Sequence, residues 1–97
     1  MDTIKSVIRY EYHENNLLKS QTAFKYKYTD AGKGVRSGDK INHGKWEQFY
    51  ENGNLRSVGY YTEGKPDKEW KGYDENGKLT YIMKYENGEY MSYEKFD

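Results

Sequence analysis

The sequence predicts an all-β fold: an antiparallel meander of tandem β-hairpins, repeating about every 24 residues, with little or no helix. Three observations predict it. The second half of the chain repeats itself, Asn-Gly dipeptides recur between apolar runs, and aromatics reach 18% in a chain with ten Gly and one Pro. Asn-Gly is the strongest short-range hairpin signal, because both residues accept positive φ. Tyr and Trp favour strands, and each buries a large area. Gly and Asn recur too often for a helix to persist.

In chain order, Ile4, Ile8, Tyr10 and Tyr12 lie in phase over residues 4–12 and predict the first strand of a hairpin. Its partner runs over Leu18, Ser20, Thr22, Phe24, Tyr26 and Tyr28, which alternate with Gln21, Ala23, Lys25 and Lys27. That period of two gives a long strand with one polar face. Residues 29–44, TDAGKGVRSGDKINHG, read as a long loop.

The repeat follows. Residues 43–66 and 67–90 match at an offset of 24: Trp46 with Trp70, Phe49 with Tyr73, Asn52-Gly53 with Asn76-Gly77, Leu55 with Leu79, Tyr61 with Tyr85 and Gly64 with Gly88. Strands are expected over 45–50, 55–61, 69–73, 79–85 and 90–95, with Asn-Gly turns at 52–53, 76–77 and 87–88 and a further turn over 62–67. Trp46, Phe49, Leu55, Tyr61, Trp70, Tyr73, Leu79 and Tyr85 are the expected repeat core. Upstream, Glu14-Asn15-Asn16-Leu17-Leu18-Lys19-Ser20 is a degenerate copy of Glu51-Asn52-Gly53-Asn54-Leu55-Arg56-Ser57 at an offset of 37. One domain over 1–97 results: a degenerate N-terminal hairpin or cap over 1–42, two repeats over 43–90 and a truncated unit over 91–97, with Tyr93 near the Trp position.

Gly44-Lys45-Trp46, Phe49-Tyr50-Glu51-Asn52-Gly53-Asn54-Leu55, Tyr61 and Gly64 together resemble the MORN-repeat variant, and more narrowly the YwqK-like antitoxin family. The second unit departs from the pattern at Glu69, where Gly is expected before Lys-Trp, and at Asp74, which replaces the second aromatic. The resemblance covers about half the chain. It implies all-β hairpin repeats and a binding role, and it names no partner.

Composition excludes several chemistries. With no Cys there is no disulfide framework, thiolate zinc site or cysteine nucleophile. Sixteen basic and sixteen acidic residues give no net charge, which argues against a general polyanion binder. Residues 1–44 carry eight basic and five acidic side chains, net +3, and residues 45–97 carry eight and eleven, net −3. No apolar run approaches the roughly 18 residues of a membrane span, and the N-terminus lacks the apolar stretch of a signal peptide. A cytoplasmic location is the expectation.

The two histidines, His13 and His43, have no converging partners and read as loop or turn side chains rather than a base or ligand. Glu47, Glu51, Glu63, Asp67, Glu69, Asp74 and Glu75 read as solvated charges rather than a glycosidase pair. Asp74-Glu75-Asn76-Gly77 lacks the ligand spacing of a calcium loop, and no phosphate-loop spacing is present. No cofactor, metal or catalytic residue is expected.

The expected function is therefore non-enzymatic binding of a partner protein by steric occlusion, in the manner of an antitoxin or immunity protein, the partner then being a toxin. Basic and aromatic residues interleave around Lys25, Lys27, Lys33, Arg36 and Lys40, and exposed Tyr is a common interface anchor. The candidate contacts are Tyr26, Tyr28, Lys33, Arg36, Tyr60, Tyr81 and Tyr90. A glycan- or lipid-headgroup-binding repeat is the alternative, and edge-strand self-assembly is a third.

Overall fold

A computed structural model describes residues 2–30 and 36–97, with side-chain surroundings given for 4–26 and 40–97. Seven strands follow one another: β1 (Asp2–Tyr12), β2 (Leu18–Asp30), β3 (Arg36–Phe49), β4 (Leu55–Thr62), β5 (Lys65–Tyr73), β6 (Leu79–Glu86) and β7 (Glu89–Lys95). They form a single sheet in the order of the sequence, with every neighbouring pair antiparallel. This is the meander of hairpins that the repeat predicts.

Two expectations need correction. The long loop over 29–44 is mostly strand, since β2 continues through Asp30 and β3 begins at Arg36. Tyr28 pairs with Gly38 and Lys25 with Ile41 in an extended hairpin. The Gly- and charge-rich stretch gives no hydrophobic alternation, yet it pairs because β2 offers an unfilled ladder of backbone groups. His43 consequently lies in a strand and not in a loop.

The second concerns backbone conformation at the turns, which fall where expected. Asn87-Gly88 (φ 50° and 87°) and Glu63-Gly64 (φ 51° and 81°) are two-residue turns with positive φ at both positions. Asn52-Gly53 and Asn76-Gly77 are not, because only the Gly has positive φ. Each closes a longer turn instead, in which Tyr50 N–H donates to Asn54 O and Gly53 N–H to Tyr50 O, and likewise Asp74 to Lys78 and Gly77 to Asp74. His13, Asn16 and Leu17 repeat this pattern, with Asn16 at φ 69° in the place of the Gly. Asn tolerates that region better than other side chains do, and the equivalence gives the degenerate upstream copy a structural meaning.

Side chains lace these three turns into a ladder along one end of the sheet. His13 Nε2 bonds the Phe49 carbonyl at 3.0 Å, and Tyr50 Oη, equivalent to it, donates to the Tyr73 carbonyl at 2.8 Å. Asn15 Nδ2 donates to Glu51 O at 2.8 Å, and Asn52 and Asn54 donate to Glu75 O at 2.9 and 2.8 Å. At the third turn Asp74 closes on itself, its Oδ1 accepting from the Asn76 and Lys78 N–H groups. The aromatic-to-Asp change in the second unit thus ends this row of links.

The opposite end is linked in the same way. Gly64 N–H donates to Asn42 O and Gly88 N–H to Pro66 O, again 24 residues apart. His43 Nδ1 accepts from Glu63 N–H, and Asp67 Oδ1 accepts from Asn87 N–H. Thr62 Oγ1 donates to Asp67 Oδ2 at 2.9 Å. Those bonds, the Thr62 hydroxyl first, hold the Asp67 carboxyl below its ordinary range.

A bulge shifts the register of β3 against β2 between Thr22 and Phe24, and of β5 against β4 between Val58 and Tyr60. Gly44 (φ 116°) and Lys68 (φ 64°) occupy equivalent places in the two. The residue standing where the pattern wants Gly is therefore Lys68 and not Glu69.

The sheet is one layer thick, with Cα extents of 57 × 37 × 11 Å. Among the described residues Phe24 is the buried hydrophobic side chain, at 5% exposure, and no side chain is fully enclosed. The eight residues expected as repeat core are half-buried. A single layer has no second surface to enclose them, so cross-strand contacts take the place of a core.

Candidate functional site

Side chains alternate between the faces of a strand, and the register sorts the repeat accordingly. Trp46 lies opposite Gly59, Trp70 opposite Met83, and Met83 opposite Tyr93. These positions, with Tyr61, Tyr81, Tyr85 and Tyr90, make one aromatic face from β3 to β7. Trp46 stacks on Trp70 with ring centres 5.3 Å apart. Tyr61 and Tyr85 meet Trp70 edge-on at 5.0 and 6.3 Å. Tyr90 meets Tyr85 at 6.0 Å, and Tyr81 stacks on Tyr93 at 6.1 Å.

Two glycines make this possible. A Cβ on Gly59 would stand 2.3 Å from Trp70 ring carbons, and one on Gly72 would stand 2.0 Å from Tyr81 Cε1. Each ring lies across a bare backbone. In the second unit Met83 takes the place of Gly59, and the aromatic of the next strand, Tyr93, stacks on Tyr81 instead. Trp70 Nε1 is buried there without a hydrogen-bond partner among the described residues. That costs about 1–3 kcal/mol, offset by the three rings around it.

The face grows more exposed toward β7, where Tyr90 is 59% and Tyr93 51% accessible. At the other end it becomes basic. Lys5, Val7 and Arg9 pair with Tyr26, Phe24 and Thr22, which share the phase of Trp46. Lys40 Nζ lies 4.2 Å over the Phe24 ring. Val7, Arg9, Phe24, Tyr26 and Lys40 line a shallow cavity of about 390 Å³.

The reverse face is charged. Lys45, Glu47, Val58, Lys71, Ile82 and Glu94 alternate along it, with Lys45–Glu47 at 3.5 Å and Glu69 shared by Lys71 at 4.0 Å and Lys84 at 3.9 Å. At the turn end a cleft of about 620 Å³ is lined by His13, Tyr50, Glu51, Asn52, Arg56 and Glu75. His13, Tyr50 and Asn52 are engaged there with backbone carbonyls, and Arg56 lies over the Tyr50 ring at 5.5 Å. These are the links of the ladder. Among the described residues no group of three His, Asp or Glu side chains is placed to hold a metal ion, and no helix is long and apolar enough to cross a membrane.

The candidate contacts divide. Tyr81 and Tyr90 lie on the aromatic face. Tyr26 meets Phe24 edge-on at 6.1 Å at the basic end. Tyr60 is on the reverse face, covered by Lys68 Nζ at 4.2 Å. Tyr28 and Arg36 fall in β2 and β3, their side chains outside the described set, and Lys33 lies outside the described residues. Sequence reasoning treated core and contact residues as separate sets. In a one-layer sheet the rings that pack the repeat, such as Trp46, Trp70, Tyr85 and Tyr93, also form its surface. The signal was present in the hydrophobic content of 34%, too low for a second layer.

The bonds from Asn42 to Gly64 and from Pro66 to Gly88 delimit two equivalent units, and sequence comparison finds the same two. The model of the MORN repeat variant matches residues 42–63 and 66–87. MORN repeats are in general protein- or membrane-binding modules without catalysis of their own. No curated protein and no solved structure matches the chain.

Proposed function

We propose that this chain is a non-enzymatic protein-binding module that holds a partner protein against its aromatic face and acts by steric occlusion, as an antitoxin or immunity protein does. The observation that carries the reading is a continuous run of rings that no second layer covers, with Tyr90 59% and Tyr93 51% accessible. Tyr, Trp and Met are the residues enriched at the centres of protein interfaces. The sheet's 57 × 37 Å outline exceeds the roughly 800 Å² per partner of a standard interface. Most of the rings lie in residues 45–97, whose net charge of −3 favours the approach of a basic partner.

The test compares tagged wild-type protein with Tyr81→Ser/Tyr90→Ser/Tyr93→Ser and with the reverse-face control Lys45→Glu/Lys71→Glu in pull-downs from native lysate. One stoichiometric protein is recovered by the wild type and the control and lost by the triple variant, and the wild type inhibits that protein's activity. Recovery of the bait alone, or equal recovery by the triple variant, contradicts the reading. Binding of a saccharide on a glycan array, lost in the triple variant, would assign the face to sugar stacking instead.

A further inference from the structure

We infer that His43 is a pH-sensitive latch between β3 and the Glu63-Gly64 turn, closed while its imidazole is neutral and open once it is protonated, and that the second unit carries the same latch without the switch. The two units place one bond at one spot. Glu63 N–H donates to His43 Nδ1 at 3.2 Å, and Asn87 N–H donates to Asp67 Oδ1 at 3.2 Å. Donor and acceptor are each displaced by the repeat offset of 24, and Glu63 and Asn87 share a backbone conformation, at φ 51° and 50°. The acceptors differ in kind. An ionised carboxylate always accepts, whereas an imidazole nitrogen accepts only while it carries no proton.

The surroundings of each acceptor differ to match. Lys25 and Thr62 are equivalent positions, since Lys25 pairs with Ile41 and Thr62 with Lys65, again 24 residues on. In the second unit the Thr62 hydroxyl and the Lys68 N–H also donate to Asp67, so every neighbour suits a carboxylate. In the first unit the Lys25 ammonium bonds the Glu63 carboxylate instead, and Glu63 Oε1 stands 3.8 Å from His43 Nδ1. Among the described residues, β2 thus presents Lys25 to the ring and the turn presents Glu63. On its own strand Lys45 is paired with Glu47 at 3.5 Å. From β4, Tyr60 lies opposite Lys45 under the Lys68 ammonium, and from β5, Lys65 runs toward Gly88.

Protonation changes what Nδ1 can do. It becomes a donor, meets the Glu63 N–H donor to donor, and the bond to the turn is lost. The Glu63 carboxylate, already close, then accepts from the ring. A bond that fixes turn backbone is exchanged for one between two side chains, which are 37% and 59% exposed, and an ion pair that open to water adds little. The bond from Gly64 N–H to Asn42 O remains, so the turn keeps its register and loosens at Glu63. This is where the N-terminal hairpin meets the first repeat. Histidine is the side chain that changes charge between about pH 5 and 8, a range in which aspartate stays ionised.

The experiment is NMR on the ¹⁵N-labelled full chain from pH 5 to 8, following the His43 ring and the solvent exchange of the Glu63 and Asn87 amides in the same samples. Protection of the Glu63 amide, relative to an unstructured peptide at the same pH, falls about three- to tenfold as the His43 ring takes up its proton. Protection of Asn87 stays constant. In His43→Asp the Glu63 amide becomes as indifferent to pH as Asn87 and keeps its protection at the acid end. Glu63 protection that does not follow the ring in the wild type overturns the inference with no variant needed. A pH dependence of Glu63 that persists in His43→Asp, or that Asn87 shares in the wild type, also overturns it.

Discussion

Adding one methyl group at Gly59 tests how the aromatic face is held. In an ordinary strand Gly→Ala stabilises by about 0.4–1 kcal/mol, because the unfolded chain loses freedom. Gly59 should reverse that sign. Its new Cβ would lie 2.3, 2.3 and 2.5 Å from Trp70 Cδ2, Cε3 and Cε2, more than an ångström inside normal contact. The ring cannot retreat freely, since Trp46 stacks on it at 5.3 Å and Tyr61 and Tyr85 abut it at 5.0 and 6.3 Å. Overpacking costs about 1–3 kcal/mol, and each aromatic pair disturbed costs about 0.5–1.5 kcal/mol. A loss of about 3 kcal/mol is expected, a large part of the roughly 5–15 kcal/mol that holds a domain. Urea unfolding followed by circular dichroism reads it as a lower midpoint at unchanged slope. The same substitution in a Trp70→Ala background should cost nothing or stabilise, so the double-mutant cycle isolates the contact. If Gly59→Ala is neutral or stabilising in the wild-type chain, Trp70 does not lie across that glycine and the account of the face is wrong.

Three further expectations concern the turns and bulges. Gly44→Ala should lower stability by about 1–3 kcal/mol, because φ is 116° there and the new Cβ would meet Ala23 Cβ at 2.9 Å; a thermal melt indistinguishable from wild type would contradict this. Asn52→Ala removes the acceptor of Asn54 N–H and the donor to Glu75 O, a loss of about 1–2 kcal/mol, and hydrogen exchange should speed at Asn54. The Asp67 carboxyl is held below its usual 3.8, so its contribution is present above that pH and is lost as pH falls through the folded value. Acid unfolding by circular dichroism should therefore show a steeper loss for wild type than for Asp67→Asn, and identical acid limbs would remove Asp67 from the linkage.

Much of the architecture was legible because the repeat writes it twice. Trp46 and Trp70, or Leu55 and Leu79, announce strands whose register follows from a shared offset. The strand over 36–44 was hidden, since Ser37, Gly38, Asp39 and Lys40 carry no alternation of polarity in sequence. The turns at Asn52 and Asn76 fall where expected, but positive φ is confined to the Gly there, although the dipeptide is the same as at Asn87. What separates them is the closing bond, Tyr50 N–H to Asn54 O in one and Asp74 N–H to Lys78 O in the other, which spans more residues than the dipeptide. That Tyr60 and Tyr81 fall on opposite faces was hidden for a related reason. The bulge at Lys68 fixes what covers Tyr60, and bulges leave little trace in composition.

The most direct test of the central claim is tyrosine-selective surface labelling, quantified by peptide mass spectrometry, of the free chain and of its complex with the partner recovered by pull-down. The account predicts that Tyr90 and Tyr93 label readily in the monomeric free protein and are protected in the complex, while Tyr60 labels equally in both. Protection of Tyr60 with Tyr90 and Tyr93 still reactive would place the partner on the charged face and contradict the account.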